Sequence, residues 1–143
     1  ALPWVNNFRY LGIVLVKSRT FRGSLSDAKK SFYRSLNAIF GRIGRQSSEE
    51  VVLQLMSSKC LPILLYGLEA CPLNKSDLNS LDFAVNRFLM KLFNTINVDI
   101  IAECRSFFNV PLPSCSISHR ADTFVKKYSN CGNALCKILA GIG

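Results

Sequence analysis

From Leu25 onward apolar residues return every three or four positions, and that spacing confines most of this chain to helix. Leu25, Ala28, Phe32, Leu36, Ile39 and Ile43 share one stripe at about 100° per residue, which predicts a first helix over roughly Ser26 to Ile43, closed by Gly41 and Gly44. Ser47-Ser48-Glu49-Glu50 offers a capping box, with the Ser47 hydroxyl and the Glu50 carboxylate three positions apart. The second helix expected there runs through Val51, Val52, Leu55 and Met56 to Cys60, where Pro62 must kink or interrupt it. Leu61 to Leu68 is apolar all round and is expected to be the most buried segment. Asn74-Lys75-Ser76-Asp77 opens a third helix bearing Leu78, Leu81, Val85, Phe88, Leu89, Leu92 and Phe93. A fourth helix is expected over roughly Val98 to Phe108, ahead of Pro111 and Pro113, and a fifth from Ser114 to about Tyr128. Asn130 to Gly143 reads either as a short last helix or as a frayed tail.

Ahead of the helices the residue types change. Phe8 to Val16 is rich in β-branched and aromatic residues and predicts a strand, with Gly12 marking a bulge or a close backbone approach. Trp4-Val5 can form a short preceding strand. The expected fold is mainly α, a short N-terminal β-strand or hairpin followed by an irregular bundle of about five helices. A chain of 143 residues, 49% hydrophobic and with ten Phe, suits one domain with a real core.

The chain opens on Ala1 without a basic region followed by a long apolar run, so it reads as a segment of a longer protein with no signal peptide. Leu61 to Tyr66, its longest uninterrupted apolar run, is too short to span a bilayer. The expected location is intracellular, nucleus or cytoplasm, and not secreted. Cysteines 60, 71, 104, 115, 131 and 136 lack the spacing of a secreted disulfide framework. Cys115-x3-His119 and Cys131-x4-Cys136 lack the paired C-x2-C spacing of a zinc site, so no metal site is assigned and the cysteines are expected to be small buried hydrophobes.

The net charge of +9 is distributed unevenly. Residues 1 to 45 carry Arg9, Lys17, Arg19, Arg22, Lys29, Lys30, Arg34, Arg42 and Arg45 against the single acid Asp27, so nearly the whole excess lies in one third of the chain. A localised excess implies a localised anionic partner, of which nucleic acid is the commonest and a membrane surface the second. On the first helix Lys30, Arg34, Asn37, Gly41 and Arg45 fall opposite the apolar stripe and form a basic ridge.

The residues offer little for catalysis. Glu49 and Glu50 are adjacent at a helix start, Asp99 and Glu103 lie one turn apart, and both pairs suit surface or helix-dipole roles. His119 has no evident partners for a triad, and no glycine-rich phosphate loop is present.

One constellation carries family information: Trp4-Val5-Asn6-Asn7-Phe8-Arg9-Tyr10-Leu11-Gly12-Ile13, then the basic helix, then Leu61-Pro62-Ile63-Leu64-Leu65-Tyr66-Gly67-Leu68-Glu69-Ala70. In order and spacing it resembles the segment after the catalytic palm in reverse transcriptases of non-LTR (LINE-like) retrotransposons, over roughly residues 3 to 128. The resemblance implies that residues 1–23 are the end of the palm with the primer-grip strand region and that 24–128 are a helical thumb-like domain, which leaves 129–143 as a tail or short last helix. It implies nucleic-acid contacts from Arg9, Tyr10, Leu11 and Gly12, to which the charge distribution adds Lys17, Arg19, Arg22, Lys30, Arg34 and Arg45. The family's Tyr-x-Asp-Asp motif is absent, so the chain is expected to be no enzyme by itself and to need no cofactor, Mg2+ belonging to the parent RNA-directed DNA polymerase. The implied partners are a template-primer duplex of RNA or DNA and the remainder of the parent enzyme, with no membrane. A helical protein-interaction domain, left from a degenerate or domesticated element, is the alternative. Tyr10 is as well suited to core packing as to nucleic acid, and Tyr66 is expected in the core.

Overall fold

A computed structural model describes residues 1–44 and 46–141; Arg45, Ile142 and Gly143 lie outside the described residues. The fold is mainly helical, with a short antiparallel three-stranded sheet at the N-terminus. Strands β1 (Asn7–Tyr10) and β2 (Ile13–Val16) form a hairpin, and β3 (Gly23–Ser24) adds to the far side of β2. Of the strand or hairpin expected there, the structure forms the hairpin, with a tight turn at Leu11-Gly12 in place of a bulge. Leu11 (φ 47°) and Gly12 (φ 86°) both occupy the left-handed region, the signs a two-residue type I′ turn demands. Trp4-Val5 forms no strand, and β3 is too short to leave a pattern in the sequence.

Helix α1 (Ser26–Ile43) matches its predicted span and buries Phe32 and Leu36 completely. Helix α2 (Glu49–Leu55) starts at Ser48, but no side-chain cap forms, so the expected Ser47–Glu50 box is absent. The Ser47 amide instead donates to the Ile43 carbonyl at 2.8 Å. The chain then widens into a π-turn over Met56–Cys60 and resumes as α3 (Leu61–Leu65), with Pro62 in its first turn. Proline has no N–H to give to the preceding turn, and the wider turn accommodates that loss without ending the rod.

From Glu49 to Ala70 the chain is apolar enough by length and composition to cross a bilayer, with a mean hydropathy of 1.5 over its best window, a longer apolar stretch than residues 61–66 alone suggest. Its buried side chains, Val52, Leu53, Met56, Cys60, Leu61, Leu64, Leu65 and Leu68, form the centre of the hydrophobic core. The segment 61–68 is nevertheless not buried all round, because Pro62, Ile63 and Tyr66 face outward.

Tyr66 (φ −58°, ψ 120°) and Gly67 (φ 70°, ψ 1°) have type II turn geometry and turn the chain into a short 3-10 segment, Leu68–Ala70. Helix α4 (Lys75–Leu92) starts on the predicted capping box: the Asn74 side chain accepts from the Asp77 amide at 2.8 Å, and the Asp77 carboxylate accepts from the Asn74 amide at 3.2 Å. Its apolar stripe, Leu81, Ala84, Val85, Phe88 and Leu89, closes the core from the opposite side. Helices α5 (Val98–Phe107), α6 (Pro113–Ser129) and α7 (Ala134–Ala140) complete the bundle, so the last segment is helical. Both α4 and α5 end on an asparagine in the left-handed region, Asn94 and Asn109. The amides of Thr95 and Val110 reach back to the Met90 and Arg105 carbonyls, closing each helix with the side chain best able, after glycine, to occupy that region.

Candidate nucleic-acid interface

The two stretches that carry the family resemblance are distant in sequence and meet in space. The Tyr66 hydroxyl donates to the Leu11 carbonyl at 3.1 Å, so the tyrosine expected in the core stands on the surface, 59% exposed, and anchors the hairpin turn. The two glycines of these stretches make the joint possible. A Cβ on Gly12 would lie 3.0 Å from Tyr66 Cε1, and a Cβ on Gly67 would lie 2.5 Å from Ile13 Cδ1. Each is also in a left-handed conformation that other residues adopt only with strain. Around the joint the hairpin, the start of α1 and the Pro62–Leu68 stretch enclose a groove of about 520 Å3, with Arg9 and Gly12 on one wall and Pro62, Ile63 and Tyr66 on another.

The cations and hairpin residues expected to touch nucleic acid divide into free and engaged groups. Arg9 on β1, Lys17 and Arg19 after β2, and Arg34 on α1 are exposed and have no carboxylate within 4.0 Å among the described residues. Arg22 lies 3.7 Å from Asp77 and Lys30 lies 4.0 Å from Asp27, so these two are partly neutralised by acids that the charge distribution along the chain places elsewhere or discounts. The Lys30–Asp27 pair is exposed on both sides and contributes little stability, whereas Asp77 beside Arg22 is only 19% exposed. Lys29 faces inward and donates to Ser80 on α4, joining the two helices. Tyr10 and Leu11 are exposed at the hairpin end, so core packing does not hold for Tyr10. Arg45 lies outside the described residues.

Helices α1 and α4 run side by side in the same sense, as the order of their bridges shows: Lys29 to Ser80, then Phe40 edge-on to Phe88 and Asn37 to Lys91. This brings Arg87 and Lys91 of α4 beside the basic ridge of α1, in a pocket of about 350 Å3 shared with Tyr33 and Asn37. Neither residue stands out in the sequence, because charge summed along the chain assigns α4 to its nearly balanced part. Their spacing of four on one helix is the signal that could have found them.

Of the six cysteines only Cys60 is buried, where desolvation pushes its thiol pKa upward; Cys115 is exposed and the other four are half-buried. The expectation of small buried hydrophobes therefore holds for one residue alone. Cys136 is also pushed upward, by desolvation and by its hydrogen bond with Cys131. Among the described residues no three His, Cys, Asp or Glu side chains come close enough to hold a metal ion.

No protein-family model, curated protein or solved structure matches the chain.

Proposed function

We propose that this chain is the template-primer-binding, thumb-like region of a retroelement RNA-directed DNA polymerase, non-catalytic on its own and working beside the remainder of that enzyme. The observation that carries the reading is the joint of Tyr66 with Leu11 and Gly12, since the Phe8–Gly12 and Pro62–Gly67 stretches that resemble the family depend on each other's shape. A turn anchored in this way can present its backbone to a primer end, while the exposed cations beside it meet the phosphates. Such contacts hold a duplex whatever its sequence, which suits an element that must follow its own product.

The test is binding of labelled DNA and RNA–DNA duplexes between 50 and 200 mM salt. Three or four phosphate contacts on duplex DNA predict a loss of affinity of roughly 40- to 150-fold across that range. The chain alone should extend no primer with Mg2+ or Mn2+, and templated incorporation would overturn this part of the reading. A protein-interaction role draws support from the exposed Leu2, Trp4 and Phe8 at the sheet. Salt-independent binding to a protein partner, without duplex binding, would favour it.

A further inference from the structure

The pocket between α1 and α4 places two cations together and gives them no acid. Arg87 and Lys91 are four residues apart on α4, a spacing at which like charges repel and weaken a helix. No carboxylate lines the pocket, and neither residue has an acid within 4.0 Å among the described residues. Lys91 is held in place nonetheless: its ammonium donates to Asn37 Oδ1 at 3.3 Å and sits 5.0 Å from the centre of the Phe40 ring. That bond occupies the acceptor of Asn37 and leaves its NH2 group as a donor. Tyr33 also lines the pocket, and Leu36 and Phe88 supply its buried apolar part. The polar lining, Asn37 with the exposed Arg87 and Lys91, thus carries donors and positive charge, the composition that recognises a phosphate oxygen. Asn37 stands on the same face of α1 as Lys30 and Arg34, so the pocket continues the basic ridge onto a second helix.

We propose that Tyr33, Asn37, Arg87 and Lys91 form a seat for a single phosphate group, occupied in the docked complex by one backbone phosphodiester of the nucleic acid. The identity of that phosphate rests on the duplex-binding reading; the seat itself does not. A shared seat makes a specific demand on energetics, because two cations acting on one phosphate are not independent.

The experiment measures duplex affinity against salt for the wild type, Arg87→Gln, Lys91→Gln and the double variant, with helical circular dichroism confirming the fold. Each single variant should weaken binding about five- to tenfold and flatten the log affinity against log salt plot by about 0.9, the value for one phosphate on duplex DNA. The double variant should be weaker than the worse single by no more than about twofold. A second arm titrates the wild type with orthophosphate against chloride at equal ionic strength, following the Asn37 amide and Arg87 guanidinium NMR signals. These should shift together, and the shift should vanish in the double variant. Duplex binding that ignores both substitutions, or losses that multiply in the double variant, would overturn the shared seat while leaving the duplex-binding reading intact. Orthophosphate binding at these signals without any duplex binding would support the seat and overturn nucleic acid as the source of its phosphate.

Discussion

The N-terminal sheet and the helical body treat apolar residues in opposite ways. Among the described residues every fully buried hydrophobic side chain lies between Phe32 and Ile117, on the helices or the segments joining them. In the sheet all of β1 is exposed, with Phe8 and Tyr10 facing water, and Trp4 ahead of it is 95% exposed. A sheet of this size is marginal by itself. Its order is lent by the body through Tyr66 on the Leu11 carbonyl, Ile13 against Gly67, and Arg22 beside Asp77. The body supplies stability, while the sheet supplies a positioned surface of exposed apolar and basic residues.

A sheet that takes its order from the body cannot survive damage to the body's core. Phe32→Ala empties a fully buried site and should lower unfolding stability by about 3 to 5 kcal/mol. Denaturant unfolding followed by the NMR amide signals of β1 and β2 and by circular dichroism should show both regions melting in one transition. A sheet that outlasts the helices would contradict its dependence on them.

At the seam, Gly67→Ala combines a left-handed backbone with a Cβ driven into Ile13, and should cost about 2 to 4 kcal/mol. Hydrogen exchange should accelerate first in β1 and β2, since the displaced side chain is theirs. Acceleration in α4 ahead of the hairpin would place the weakness in the body instead.

A smaller effect sharpens the same boundary. Tyr66→Phe removes only the hydroxyl bonded to Leu11, so the loss should be about 1 kcal/mol or less, with amide shifts confined to residues near the turn. Smallest of all, Trp4→Ala should change stability by under about 0.5 kcal/mol, because the ring is almost wholly in solvent. A loss above about 2 kcal/mol in thermal unfolding, the scale of a buried side chain, would mean that the sheet has a core of its own.

The helices were legible because each buries one stripe of a regular period: Phe32 and Leu36 on α1, and Leu81, Val85, Phe88 and Leu89 on α4, all stand where the spacing puts them. Elements whose form depends on distant residues were not. Tyr66 reads as core in an apolar run, and only the approach of the Leu11 carbonyl gives its hydroxyl a reason to be outside. Ser47 has the right neighbour for a capping box, yet its amide is taken by Ile43 and the helix starts one residue later. Gly12 reads as a bulge or a close approach, and only β2 folding back on β1 makes it part of a turn, with Tyr66 close against it. The candidate interface was half legible: the ridge on α1 follows from its own period, whereas Arg87 and Lys91 join it only through the packing of α4 on α1.

The most direct test of duplex binding by the sheet and α1 compares two sets of charge reversals. Arg9, Lys17 and Arg34 to Glu alters exposed cations without acid partners among the described residues and leaves the core untouched. Lys126, Lys127 and Lys137 to Glu makes the same charge change on α6 and α7. The first set should weaken binding almost equally for all sequences and flatten the salt dependence by roughly 0.9 for each duplex DNA phosphate that is no longer neutralised. The second set should do clearly less. A larger loss from the α6 and α7 reversals would contradict the account and move the nucleic acid to the other end of the bundle.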